Sequence, residues 1–135
     1  MAASKILKFQ MRAVIDTNVL LVSISSRSSY HWLYKSILAN TFEIAFSSDI
    51  LTEYEELISQ HWHPDVAVAV IRSLLELPNA IATTVFYQLN LIKNDPDDNK
   101  FADCAFTANA DYLVTEDKDF DVLKKISFPK INVIA

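Results

Sequence analysis

Three short apolar runs punctuate this chain, and each stops abruptly at polar residues. Ala13–Ile15 runs into Asp16-Thr17-Asn18, Phe42–Phe46 into two serines, and Tyr112–Val114 into Thr115-Glu116-Asp117-Lys118-Asp119. Brief runs rich in β-branched and aromatic residues, broken only by Glu43, describe strands buried on both faces, as the strands of a parallel sheet are. Stretches with helical spacing lie between them, so strands and helices alternate. That order predicts an α/β fold: a three-layer sandwich with a short, mainly parallel central sheet of about four to five strands flanked by helices.

The helical stretches carry their own start and stop signals. From Ser29, the residues Trp32, Leu33, Ser36 and Ile37 share one face, and Asn40 is well placed as a stop. Whether Trp32 and Tyr34 serve the core or a partner surface stays open at this level. Ser47 and Ser48 can cap the clearest helix, in which Ile50, Leu51, Tyr54, Leu57 and Ile58 recur at helical spacing. The His61-Trp62-His63 cluster reads as a turn, since nothing nearby completes a metal coordination shell. A helix is expected over Asp65–Leu75, with Pro64 near its start, where a missing N–H does least harm. Ala80–Tyr87 reads as a strand. The DPDDNK stretch reads as a turn before a helix carrying Phe101, Ala102, Ala105 and Phe106 on one side. Asn109 ends that helix as a left-handed stand-in for glycine. A short helix at Phe120–Ile126 and a strand at Ile131–Ile134 complete the series. Residues 1–11 lack a decisive period and read as an N-terminal leader or extension, leaving 12–135 as a single domain.

Glycine is absent from all 135 residues, although it normally makes up about 7% of a protein. Positions with positive φ must therefore fall to Asn and Asp. A glycine-rich phosphate loop is excluded, and with it the P-loop nucleoside triphosphatases and the dinucleotide-binding Rossmann enzymes. The single cysteine, Cys104, permits no internal disulfide and sits in an apolar context that suits a small packed side chain. The apolar stretch Ala13–Ile24 is interrupted and too short to span a bilayer. No secretory signal precedes it, so no membrane association is expected and the cytoplasm is the expected location.

The net charge is −5, and the acids are unevenly spread. Nine of the seventeen Asp and Glu residues lie between Asp95 and Asp121, opposed there only by Lys100 and Lys118. A solvated acidic face and a cation site both explain such a cluster. In an open parallel sheet, ligands bind beyond the carboxyl ends of the strands where strand order reverses. Asp16 follows one strand directly and Asp117 follows another by three residues. If those strands are neighbours, about 4.8 Å apart, the two carboxylates can converge on one ion. Asp98 stands at the head of a helix, where it can cap the N-terminus or face the same crevice. In the helix after Ser48, Glu53 and Glu55 each fall about 40° outside the apolar arc, so the helical wheel does not choose between them. Carboxylates gathered in one pocket repel unless protons or cations intervene. Oxygen ligands without histidine or cysteine favour Mg²⁺ or Mn²⁺ over zinc.

Taken together, these residues resemble the PIN-domain family. The likeness rests on Asp16-Thr17-Asn18 after the first strand, Glu53 in the helix behind a serine cap, Asp98 at the head of a later helix, and the run from Thr115 to Phe120, and it covers nearly all of 12–134. In closest flavour the chain is similar to the stand-alone prokaryotic (VapC-like) PIN proteins that act as toxin components of toxin–antitoxin pairs. The resemblance implies a metal-dependent endoribonuclease that hydrolyses RNA with Mg²⁺ or Mn²⁺, with Asp16, Glu53, Asp98 and Asp117 as both the catalytic and the metal-binding acids. It also selects Glu53 over Glu55. Asn18 and Thr115 match the family's polar companions, expected to orient the first and last acids by hydrogen bonds. Where Asn109 stands, relatives often carry glycine. Lys100, Lys118 and Arg27 lie near the site in sequence and are candidates for RNA phosphate contacts. Because backbone neutralisation dominates RNA affinity, an acidic chain is expected to draw basic surface from a homodimer or higher homo-oligomer. An antitoxin protein is the further partner the resemblance implies.

Two other readings compete. In one, Asp16 is the nucleophile of a Mg²⁺-dependent phosphoryl-accepting domain. A haloacid-type phosphatase would carry a second aspartate where Asn18 stands, and the strand-end lysine of a receiver domain is not evident. In the other, the domain is a non-catalytic PIN-like module that holds a partner protein, against which stands the presence of all four acids.

Overall fold

The computed structural model describes residues 11–135. The leader expected over 1–11 therefore lies outside the described residues except for Met11. Five strands form the sheet: β1 (Arg12–Ile15), β2 (Glu43–Phe46), β3 (Ala80–Ala82), β4 (Tyr112–Val114) and β5 (Val133–Ile134). Their order is β3-β2-β1-β4-β5, and every neighbouring pair is parallel. The α-helices are α1 (Thr17–Ser23), α2 (His31–Leu38), α3 (Ser48–His61), α4 (Pro64–Glu76) and α5 (Asn99–Thr107). This is the α/β sandwich with a short parallel sheet that the alternation of elements predicts.

The central strands form because their apolar side chains are buried. Val14, Ile15, Ile44, Ala45 and Leu113 have no exposed surface. Helix α3 starts where Ser47 accepts a hydrogen bond from the Ile50 N–H at 3.3 Å, and it buries Ile50, Tyr54 and Ile58. Helix α4 has Pro64 in its first turn, and His63 caps it by accepting the Asp65 N–H through Nδ1 at 3.1 Å. The histidine pair is therefore a helix junction, as its spacing indicates. Cys104 is fully buried in α5 with Phe101, Ala102 and Ala105.

Several boundaries differ from the sequence expectation, each for a tertiary reason. Helix α1 begins immediately after Asp16, in a stretch whose apolar residues run together without a readable period. The strand expected over Ala80–Tyr87 ends at Ala82, because the Thr83 N–H makes the last pairing, to the Phe46 carbonyl at 2.8 Å, and β2 extends no further. Phe86 and Tyr87 beyond it are exposed. The expected helix at Phe120–Ile126 is a 3-10 segment over Lys118–Lys125, capped by the Asp117 carboxylate. The last strand shrinks to Val133–Ile134. On α2 only Leu33 and Ile37 are buried, while Trp32 is 62% exposed and Tyr34 packs at the core margin.

The missing glycines are replaced as the composition demands. Asn40, Asn90 and Asn109 have positive φ, and Asn40 and Asn109 follow α2 and α5 respectively. The left-handed conformation is unfavourable for a side chain with a branched Cβ by about 1–2 kcal/mol, and least so for glycine and asparagine. Asn109→Val is therefore expected to lower unfolding stability by about 1–2 kcal/mol, whereas Asn109→Gly leaves it within about 0.5 kcal/mol. Urea denaturation followed by circular dichroism measures both.

Candidate metal-binding active site

The sheet order reverses between β1 and β4. The chain passes from β1 outward through β2 and β3, then returns to place β4 on the other side of β1. Ile15 pairs with Val114, so these two strands end side by side. The Asp16 N–H extends the pairing by one residue, donating to the Val114 carbonyl at 2.9 Å. Asp16 and the Thr115–Asp117 segment thus leave the sheet together, at the crevice where ligands bind in open α/β folds.

Asp16 is only 5% exposed, and its Oδ2 accepts the Thr115 hydroxyl at 2.9 Å. The same hydroxyl oxygen accepts the Asp117 N–H at 3.0 Å, so Thr115 ties the two acids to one another. Burial raises the Asp16 pKa above the usual carboxylate range. The Thr115 hydroxyl and the Thr17 N–H draw it back, and the charges of Asp117 and Glu53 push it up. The Asp117 carboxylate accepts the Asp119 N–H at 2.9 Å, which bends the chain into the 3-10 segment.

Glu53 reaches the site from α3. Its Oε2 accepts the hydroxyl of Thr17, the first residue of α1, and its Oε1 lies 2.8 Å from Lys100 Nζ. Glu55 and Glu56 are exposed on the same helix. The direction in which α3 packs against α1 thus decides between Glu53 and Glu55, which the wheel left open. Lys100 also pairs with Asp97 at 3.1 Å. Burial opposes the lysine charge, but the hydrogen bonds it donates to Glu53 and Asp97, together with their charges, outweigh it and the Lys100 pKa is raised.

Asp98 stands at the head of α5, yet it makes no side-chain cap hydrogen bond. Its Oδ2 is buried without a partner. One carboxylate oxygen from each of Asp95, Asp98 and Asp119 lies within 4.8 Å of the others. Burial first, then the charges of Asp95, Asp117, Asp16 and Asp119, push the Asp98 pKa up to about 7. A carboxyl group raised that far, with an orphan oxygen, is a group in need of a counter-charge.

The charges of Asp117 and Glu53 act on Asp16, and those of Asp117 and Asp16 act on Asp98, whereas the carboxylate oxygens that gather within 4.8 Å of one another are those of Asp95, Asp98 and Asp119. Asp16 and Asp117 line a hollow of about 330 Å³ with Asn18, Val19, Val22 and Glu116. Glu53 and Lys100 line a polar cleft of about 810 Å³ that also takes in Asp97 and Asp103. Asn18 departs from its expected role: it is exposed, and among the described residues its side chain has no hydrogen-bond partner. The Thr115 hydroxyl and the Thr17 N–H orient Asp16 instead. Lys118 and Arg27 are exposed, and Arg27 lies in the loop after α1.

Sequence reasoning missed four contributors. Asp95 had read as a turn residue, and it does accept the Asp97 N–H at 3.3 Å, but it also faces Asp98. Asp119 follows Asp117 by two residues in the same acidic run, a signal that only the 3-10 bend makes meaningful. Thr17 and Tyr30, which bond Glu53 and Glu116 respectively, carry no sequence signal for those long-range contacts.

A family model for the PIN domain matches residues 12–119. The chain belongs to the PIN-domain family, whose members are typically nucleases that use divalent metal. Among solved structures, its fold is similar to the crystal structure of VapBC2 from Rickettsia felis bound to a DNA fragment from their promoter. That similarity has a TM-score of 0.63 at 21% identity and covers 92% of this chain and 98% of that one. Comparison with curated protein sequences gives no match. Among the described residues no helix is long and apolar enough to cross a membrane.

The raised Asp98 pKa sets a pH dependence for the metal-free protein. Its folded value, about 7, exceeds the ordinary 3.8, so between those values the folded state holds the extra proton. Stability contributed by that proton is complete below the unfolded pKa and is lost as pH rises through about 7. In a chelating buffer, the melting temperature is expected to fall between pH 5 and pH 8. Asp98→Asn should flatten that decline, as differential scanning calorimetry across the range will show.

Proposed function

We propose that this PIN-domain protein is a Mg²⁺- or Mn²⁺-dependent endoribonuclease and the toxin component of a toxin–antitoxin pair. The observation that carries the reading is the emergence of Asp16 and Asp117 from adjacent strand ends, near enough to Asp98 at the head of α5 for their charges to act on it, while the charge of Glu53 on α3 acts on Asp16. An oxygen-only donor set favours a hard divalent cation. The orphan Asp98 oxygen and the raised pKa of Asp98 fit that requirement.

Asp16, Asp98 and Asp117 would hold the ion, and Glu53 would complete the pocket. A bound divalent ion would polarise the scissile phosphate and lower the pKa of an attacking water. The chain's own residues do the rest. Thr115 fixes one Asp16 oxygen and the Asp117 backbone, so neither acid has to be reoriented during the reaction. Glu53 is held from two sides by Thr17 and Lys100. Acids that bind metal which in turn binds phosphate explain how a chain of net charge −5 can act on RNA. Basic surface from a homo-oligomeric partner would raise affinity for the rest of the RNA.

The antitoxin partner is supported by the fold neighbour, a VapBC2 structure bound to promoter DNA. The phosphoryl-acceptor reading fits less well. Asp16 is buried, and one of its two oxygens is already engaged by Thr115, which leaves a poor in-line nucleophile.

Asp16→Asn keeps the side-chain volume and can still accept the Thr115 hydroxyl, but it removes the ligand charge. RNA cleavage is expected to fall by about 100-fold or more, in keeping with the several kcal/mol a metal site supplies, with the circular dichroism spectrum unchanged. Cleavage at the parent rate would rule out this assignment of the site. Labelling of Asp16 by a small phosphodonor would favour the phosphoryl-acceptor reading instead.

A further inference from the structure

Lys100 occupies an unusual place for a lysine near an acidic metal site. Its side chain is 17% exposed, and three groups hold it: Glu53 Oε1 at 2.8 Å, Asp97 Oδ1 at 3.1 Å, and the Phe101 ring, whose centroid is 5.9 Å from Nζ. An ammonium held by two carboxylates and an aromatic face is not waiting for a ligand. Glu53 is correspondingly engaged at both oxygens, since its Oε2 accepts the Thr17 hydroxyl.

The acids thus divide into two unequal groups. On the Glu53 side, the negative charge already has a cation in contact. On the other side stand Asp16, Asp98 and Asp117, where the Asp98 oxygen has no partner. Among the described residues no lysine or arginine forms an ion pair with those three acids. A divalent ion coordinated directly by Glu53 would have to lie close to the Lys100 ammonium, and repulsion between like charges at such separation is strong. An ion among Asp16, Asp98 and Asp117 meets no such opponent.

We propose that the Lys100 ammonium is a resident cation which takes the Glu53 side of the site, so that the chain loads one divalent ion, at Asp16, Asp98 and Asp117. The proposal rests on the metal-dependent reading above and deepens it. Where a two-ion nuclease would use a second metal to neutralise charge on the phosphate, this chain uses an ammonium. Two of its three N–H donors are spent on Glu53 and Asp97, which fixes the charge in place. Lys100 is then a positioning residue for Glu53 and a fixed charge beside the substrate, which differs from a mobile surface contact.

The test is a titration of the full chain with Mn²⁺, read by isothermal calorimetry and by electron paramagnetic resonance. The protein and Lys100→Arg, which preserves the charge, are expected to bind one ion per chain. Lys100→Met is expected to bind two, with the resonance broadened by coupling between neighbouring ions, and Glu53→Gln in that background should return the count to one. Should Lys100→Met lose its circular dichroism signal, Lys100→Gln serves in its place. Two ions in the unmodified protein, or one ion at unchanged affinity in Lys100→Met, would overturn the proposal. Absence of Mn²⁺ binding in every variant would overturn the metal-dependent reading itself, and the two failures are therefore distinct.

Discussion

The parallel pairing of β1 with β4 is the contact on which everything else depends. It joins segments separated by about a hundred residues and places Ile15 opposite Val114. The pairing is held by the burial of Val14, Ile15 and Leu113 as well as by its hydrogen bonds. One residue past its end, the backbone bond from Asp16 to Val114 sets the height at which the two acidic segments leave the sheet. A slip of one residue would turn Asp16 to the opposite face. The amino ends of the same strands are fastened separately: the Arg12 guanidinium bonds Glu43 of β2 at 3.0 Å and the Ala108 carbonyl at 2.7 Å. The crevice therefore stands on a sheet pinned at its opposite edge.

From that frame the site is assembled by helices that approach from different directions. Helix α1 begins at Thr17, so its first hydroxyl is delivered next to Asp16 and reaches Glu53 on α3. Helix α5 begins at Asn99 and leaves Asp98 at its head, close to the acids of the β4 loop. The price of gathering so many carboxylates is visible in Asp98, whose pKa is pushed to about 7 and whose buried oxygen has no partner. Repulsion of this kind does nothing for the fold. Carboxyl groups shifted this far by burial and like charges gather at functional sites.

Much of this was legible in the residues. The abrupt change from Ile15 to Asp16, and from Val114 to Thr115, marks strand ends at which buried apolar chain meets polar chemistry, and both boundaries fall where the change occurs. Ser47 caps its helix, and Asn109 takes the left-handed conformation that an all-but-glycine chain must assign to asparagine. Other boundaries depend on length or packing. Ala80–Tyr87 looked like one strand because alternation does not report where the neighbouring strand stops. The stretch Thr17–Ser23 concealed a helix because seven residues offer barely two turns of periodicity.

Sequence alone determined that strands and helices alternate, that phosphate loops built on glycine are impossible, and which acids stand at strand ends or helix heads. These are local properties, set by side-chain chemistry and by spacing along the chain. The tertiary structure decided that Glu53 and not Glu55 turns inward, that Lys100 pairs with Glu53, that Asp95 and Asp119 join Asp98, and that Asn18 stays exposed at the rim of the Asp16 hollow. Each of those outcomes depends on how two elements far apart in the chain pack against one another. Periodicity fixes the face a residue occupies on its own helix, but only packing fixes what that face meets.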